Sequence, residues 1–165
     1  MLSVMEIQGQ LFEGKSFAEI DKKYYFDLPQ LCEDEPLYSA ILDLRYRFYL
    51  EKGSFEKAAD CLNRLALIEE YLPLQELEKV AGELVYMHSL NGDLACAEEN
   101  YSACQSFLKG EGVAPKRILA AYAQACGKAD AVEILLGQAH DALAGERIKG
   151  IRKFEEILLL RIKEE

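Results

Sequence analysis

The chain has 165 residues, half of them hydrophobic, with nine tyrosines and seven phenylalanines but no tryptophan, enough for a packed core and too apolar for a disordered chain. A formal net charge of −10 argues against nucleic acid as a partner, since phosphate binding needs a basic face, and against docking on anionic lipid through charge. No apolar run approaches a membrane span, and Met1-Leu2-Ser3-Val4-Met5-Glu6 lacks the basic start of a signal peptide, so the expectation is a soluble cytoplasmic chain with no direct membrane insertion.

Residues 1–35 read as an N-terminal helical segment. Leu2, Met5, Leu11 and Phe12 give a short amphipathic helix closed by Gly14. Ser16-x-x-Glu19 has the form of a capping box, and the helix it opens runs to about Tyr24, before Asp27-Leu28-Pro29 breaks the pattern. Pro36 suits the first turn of the next helix, with Glu33, Asp34 and Glu35 at its positive end. Helix 36–52 carries Leu37, Ile41, Leu44 and Phe48 on one stripe, and Gly53 closes it. Ser54 is placed to cap the following helix, whose inward face holds Phe55, Ala58, Ala59, Leu62, Leu65 and either Leu67 or Ile68.

Leu72-Pro73 restarts the pattern. Leu77, Val80, Leu84, Met87 and Leu90 mark helix 74–91, ended by Asn91-Gly92. Asp93 caps a helix over 94–109 with Leu94, Ala97, Tyr101, Cys104 and Leu108 inward. Helices over 115–126 and 129–143 meet at Gly127, and residues 144–165 form a C-terminal capping helix with Ile148, Ile151, Phe154, Leu158 and Ile162 inward. No segment alternates like a strand, so the fold class is all-α.

Three junctions repeat. Gly53, Gly92 and Gly127 are 39 and 35 residues apart, each followed two positions on by Phe55, Leu94 or Ala129 and five positions on by Ala58, Ala97 or Val132. A period of this size marks an α-solenoid of helical hairpins, here about three over residues 36–143, forming one structural domain with the flanking segments. The small residue lets paired backbones approach. Val132 is bulkier there, which makes the third hairpin the least typical.

Gly53, Phe55 and Ala58, and then Gly92, Leu94 and Ala97 with Tyr101, resemble the second half of the tetratricopeptide repeat. The units are longer than that family's, and Leu42, Arg45 and Tyr46 stand where its Trp-x-x-Leu-Gly would be. The resemblance covers about residues 37–143 and implies a protein- or peptide-interaction module. The stretch Ile7-Gln8-Gly9-Gln10-Leu11 through Gly14-Lys15-Ser16, Glu19-Ile20, Tyr24-Tyr25-Phe26 and Leu28-Pro29 is similar to the segment after the last membrane helix in bacterial site-2-protease-like zinc metallopeptidases. Asp21 replaces the usual proline, and neither H-E-x-x-H nor a membrane span is present. This second resemblance implies a cytosolic tail of a longer, membrane-tethered protein whose active site lies elsewhere.

Catalytic motifs are missing: there is no Gly-x-Ser-x-Gly, no phosphate loop and no C-x-x-C. The five cysteines, Cys32, Cys61, Cys96, Cys104 and Cys126, read as reduced core thiols. His88 and His140 have no partner at ligand spacing, so no metal site and no cofactor are expected. The tetratricopeptide register implies a concave face lined by Asp43, Arg47, Lys79, Tyr86, Arg117 and Gln124. Its three basic groups suit an acidic peptide, while local pairing of Arg47 and Lys79 with carboxylates on their own helices is the alternative. The family's carboxylate clamp also needs asparagines, which these positions lack. Tyr24, Tyr25, Tyr38, Tyr46 and Tyr49 form a cluster suited to packing or to a binding hot spot. Leu158-Leu159-Leu160 is broader than one stripe requires, and marks the last helix for a homodimer contact under a second reading, a self-association domain.

Overall fold

The computed structural model describes residues 9–17, 19, 35–67 and 73–162, and among them there are helices and turns but no strand. The all-α expectation is met. The expected positions Leu2, Met5, Tyr24, Tyr25, the Asp27-Leu28-Pro29 break, Cys32 and Ile68 lie outside the described residues, as do the side chains of Leu37, Tyr38 and Ile41. After a short turn of helix at 9–12, the helices are α1 (Glu35–Lys52), α2 (Phe55–Ala66), α3 (Leu74–Leu90), α4 (Leu94–Ala103), α5 (Gln105–Leu108), α6 (Val113–Ala125), α7 (Ala129–Ala144) and α8 (Lys149–Ile162).

The three glycine junctions close in one way. Gly53, Gly92 and Gly127 have φ of 80°, 78° and 72°, the left-handed region a Cβ disfavours. At each, the glycine N–H donates to the carbonyl three residues back (Leu50, Ser89, Gln124). The next N–H donates to the carbonyl five back, Ser54 to Tyr49, Asp93 to His88 and Lys128 to Ala123, each at 2.9 Å. This double closure is the Schellman motif, and it satisfies carbonyls that the helix end would otherwise orphan. The helices flanking each junction then pack on each other: α1 on α2, α3 on α4, and α6 on α7.

Contacts divide the chain into two compact units, Met1–Leu72 with Glu146–Ile157, and Pro73–Gly145 with Leu158–Glu165. In the first, α1 buries Leu42, Leu44, Tyr46, Phe48, Tyr49 and Leu50, far more than one stripe, and α2 buries Ala58, Cys61, Leu62 and Leu65. Phe55 is only half-buried and Leu67 is exposed. Ser54 does not cap α2 with its side chain. Asp93, at nearly the same backbone angles, accepts from the Cys96 amide at 3.2 Å. Residues 11–17 dock on the start of α8. Leu11, Phe17 and Phe154 are buried, and the two phenylalanine rings meet edge to face at 5.4 Å. The Phe17 amide donates to the Glu51 carboxylate at 3.1 Å. The expected capping box is present: the Ser16 amide donates to Glu19 at 2.7 Å and the Glu19 amide to the Ser16 hydroxyl at 3.2 Å.

In the second unit α3 is central, packing on α4, α5 and α6. It buries every residue from Gly82 to Met87, so it is covered all round rather than on one face. The single helix expected over 94–109 is broken at Cys104, whose φ of −126° and ψ of 30° leave the helical region. One Glu78 oxygen accepts from the Ser106 and Phe107 amides at 3.2 and 3.4 Å, so the new N-terminus of α5 is capped from α3. Tyr101 stacks on Tyr122 at 4.5 Å between ring centres. Ala58 and Ala97 are fully buried at their hairpin interfaces. Val132 is only half-buried, and α7 buries Leu136, Ala139 and Leu143 instead, so the third pair does not use its small-residue position as the others do.

Candidate functional site

The six residues expected to line a concave face fall in both units. In the first unit, Arg47 pairs with Asp43 at 3.3 Å, one turn away on α1. In the second, Lys79 lies 4.0 Å from Glu76 on α3, and Gln124 is half-buried near the end of α6. For these cations the local pairing on their own helices is what forms.

Tyr86 and Arg117 correct the expectation outright. Both are fully buried, so neither can line an open surface. Arg117 donates two hydrogen bonds to Glu83, at 3.0 and 2.7 Å, and its guanidinium sits 4.7 Å above the Tyr86 ring centre. The Tyr86 hydroxyl donates to the Leu158 carbonyl at 2.7 Å. The sequence positions Glu83 and Tyr86 one turn apart on α3, and Arg117 reaches them from α6. The reason for burial is charge balance: a guanidinium held by a bidentate carboxylate and an aromatic face can leave water. The cluster ties elements together and offers no access to a ligand.

An open groove lies elsewhere, in the first unit. Leu42, Arg45 and Tyr49 of α1 and Glu56, Lys57, Asp60, Cys61, Asn63 and Arg64 of α2 line a space of about 790 Å³. Tyr49 is buried beneath Lys57, whose ammonium lies 5.6 Å from its ring centre. Arg64 pairs with Asp60 at 3.2 Å on the exposed side. The groove thus combines three cations, an aromatic floor and two flanking carboxylates. Sequence reasoning missed it, although Arg45 and Tyr49 at i, i+4 and Lys57 and Arg64 at i, i+7 were visible as one-sided pairs.

One further expectation changes. Leu158 and Leu159 are buried and Leu160 alone is exposed, so the triple leucine is not a broad surface patch. His88, which has no partner at ligand spacing along the chain, has two ligand-type neighbours in space: ligand atoms of His88, Asp93 and Cys96 lie within 4.8 Å of one another. The Schellman turn at Gly92 folds α4 back beside the end of α3, and spacing along the chain conceals that juxtaposition.

No helix among the described residues is long and apolar enough to cross a membrane. The chain matches no protein-family model, no curated protein and no solved structure.

Proposed function

We propose that this chain is a non-catalytic interaction module that captures an acidic peptide segment of a partner protein. In this reading it is an α-solenoid of tetratricopeptide-like hairpins, serving as the cytosolic tail of a membrane zinc metallopeptidase. The groove of the first unit carries the proposal. Arg45, Lys57 and Arg64 gather around it in a chain whose net charge is −10, and Tyr49 supplies an apolar floor. Cations over an aromatic base favour carboxylate side chains, each held by charge-assisted hydrogen bonds. The repeated closure at Gly53, Gly92 and Gly127 supports the hairpin repeat, as does the packing of α3 on α6, which stacks the second pair on the third. The Ser16–Glu19 capping box, which forms as expected, lies within the stretch that resembles the metallopeptidase tails.

Fluorescence polarisation with a labelled glutamate-rich peptide tests the groove. The full chain binds it in a salt-sensitive manner, and the Lys57→Glu/Arg64→Glu double variant loses binding while keeping its helicity. Equal binding by the two proteins, or none by the unmodified chain, rejects the groove. The encoding gene tests the tail: an in-frame stop codon directly upstream of Met1 rejects it, and upstream spans with H-E-x-x-H support it.

A further inference from the structure

The junction between α3 and α4 differs from the other two in chemistry, not in backbone. The three share their turn geometry, so corresponding positions can be compared directly. Four residues before the glycine stand Tyr49, His88 and Ala123. One residue after it stand Ser54, Asp93 and Lys128, and four after it Lys57, Cys96 and Ala131. Only at Gly92 are all three positions filled by metal-ligand side chains. The turn itself therefore does not demand them.

We propose that His88, Asp93 and Cys96 form a zinc site, with water completing a tetrahedron. Imidazole nitrogen, carboxylate oxygen and thiolate sulfur are the donors that a borderline-soft divalent cation takes. Their atoms lie within 4.8 Å of one another, and the edge of a zinc tetrahedron is about 3.5 Å. The backbone is already held, by the Asp93 amide on the His88 carbonyl at 2.9 Å and the Cys96 amide on the Asp93 carboxylate at 3.2 Å. The Cys96 amide engages Oδ1 of Asp93, so one carboxylate oxygen holds the helix cap. His88 and Cys96 are half-buried and Asp93 is exposed, so the cluster is reachable from solvent.

The Cys96 thiol, the Asp93 carboxylate and the His88 imidazole offer their ligand atoms within 4.8 Å of one another. On coordination the thiol proton leaves to solvent, His88 binds as neutral imidazole, and the Asp93 carboxylate holds the metal. The N-cap role of Asp93 persists through Oδ1. A zinc ion here would cross-link the end of α3 to the start of α4 and lock the second hairpin.

The test is titration of the reduced full chain with Co(II). One equivalent produces a thiolate-to-cobalt charge-transfer band and the visible bands of four-coordinate Co(II), and Zn(II) displaces both. Cys96→Ser, nearly isosteric, removes the charge-transfer band. His88→Ala weakens zinc binding by more than about a hundredfold, since loss of even an outer-shell partner costs about ten- to a hundredfold. Asp93→Asn keeps the helix cap and loses the anionic ligand, so it weakens zinc binding while helicity stays intact. No charge-transfer band in the unmodified chain, or an undiminished band in Cys96→Ser, overturns the site. A second measurement needs no variant: Zn(II) shields Cys96, and not Cys126, from iodoacetamide in peptide mapping. Equal labelling of Cys96 with and without the metal overturns the proposal as well.

Discussion

Arg117 and Glu83 are joined by two hydrogen bonds, at 3.0 and 2.7 Å, where neither has contact with solvent worth the name: 0% and 2% of their side-chain surfaces are exposed. Such a pair is costly to split, because the survivor is a buried charge with no counter-ion. Glu83→Ala is expected to lower stability by about 3–5 kcal/mol. Replacing both, as Glu83→Leu with Arg117→Met, costs less than Glu83→Ala alone, because no charge is stranded. Urea unfolding of these variants, with Glu83→Leu alone and Arg117→Met alone to close the cycle, decides it. A double variant whose loss equals the sum of the single losses would mean the pair carries no coupling.

Gly150 is where α8 touches the N-terminal segment most closely. A Cβ there would lie 2.6 Å from the Lys15 carbonyl oxygen and 2.8 Å from the Leu11 Cα. These are backbone atoms and cannot swing aside. Gly150→Ala therefore pushes residues 11–15 off α8 and is expected to lose about 1–3 kcal/mol. Gly137 on α7 is the control: a Cβ at that position would meet nothing within 4 Å, and its backbone is ordinary helix. Gly137→Ala should gain up to about 1 kcal/mol from helix propensity. Thermal melts that move in the same direction for both variants contradict this contrast.

What is legible in the chain is local. The Gly53, Gly92 and Gly127 turns, the Asp93 cap and the Ser16–Glu19 box each depend on residues within about five positions of one another, so composition and spacing reveal them. The break at Cys104 depends on Glu78, 28 residues before Ser106, reaching over to cap α5. Arg117 reads as a surface cation because its partner Glu83 sits on another helix, and no spacing rule connects them. The His88 cluster is hidden for a related reason: the three residues are near in sequence, but only the reversal at Gly92 turns them toward one point.

Cys104, at the break between α4 and α5, is expected to be far less reactive than Cys126. Burial, with a smaller contribution from Glu78, pushes its thiol up to about 11 from an ordinary 9. A raised thiol favours the folded state below pH 9, and that contribution is lost as pH climbs from 9 toward 11. At pH 8 the folded chain then holds about a hundredfold less Cys104 thiolate than the unfolded one. Iodoacetamide followed by peptide mapping should label half-buried Cys126 in the native protein and leave Cys104 untouched until urea is added. Native labelling of Cys104 at the rate of Cys126 contradicts the prediction.

The capping box makes a local acid-sensitive element. The Glu19 carboxyl is held below its ordinary value of 4.5, first by the Ser16 backbone hydrogen bond and further by Lys153, the Ser16 hydroxyl hydrogen bond and Lys15. A lowered carboxyl stabilises the folded arrangement above pH 4.5, and the contribution disappears as pH falls through the folded value. The Ser16 amide, 2.7 Å from the carboxylate, is the reporter. Its NMR shift should titrate with a midpoint below 4.5, and its exchange protection should fall over the same interval. Glu19→Gln retains a cap acceptor without a titrating charge, so in that variant the Ser16 shift stays flat through acid. A midpoint at or above 4.5 in the unmodified chain, or the same transition in Glu19→Gln, would show that some other group governs the acid response of this segment.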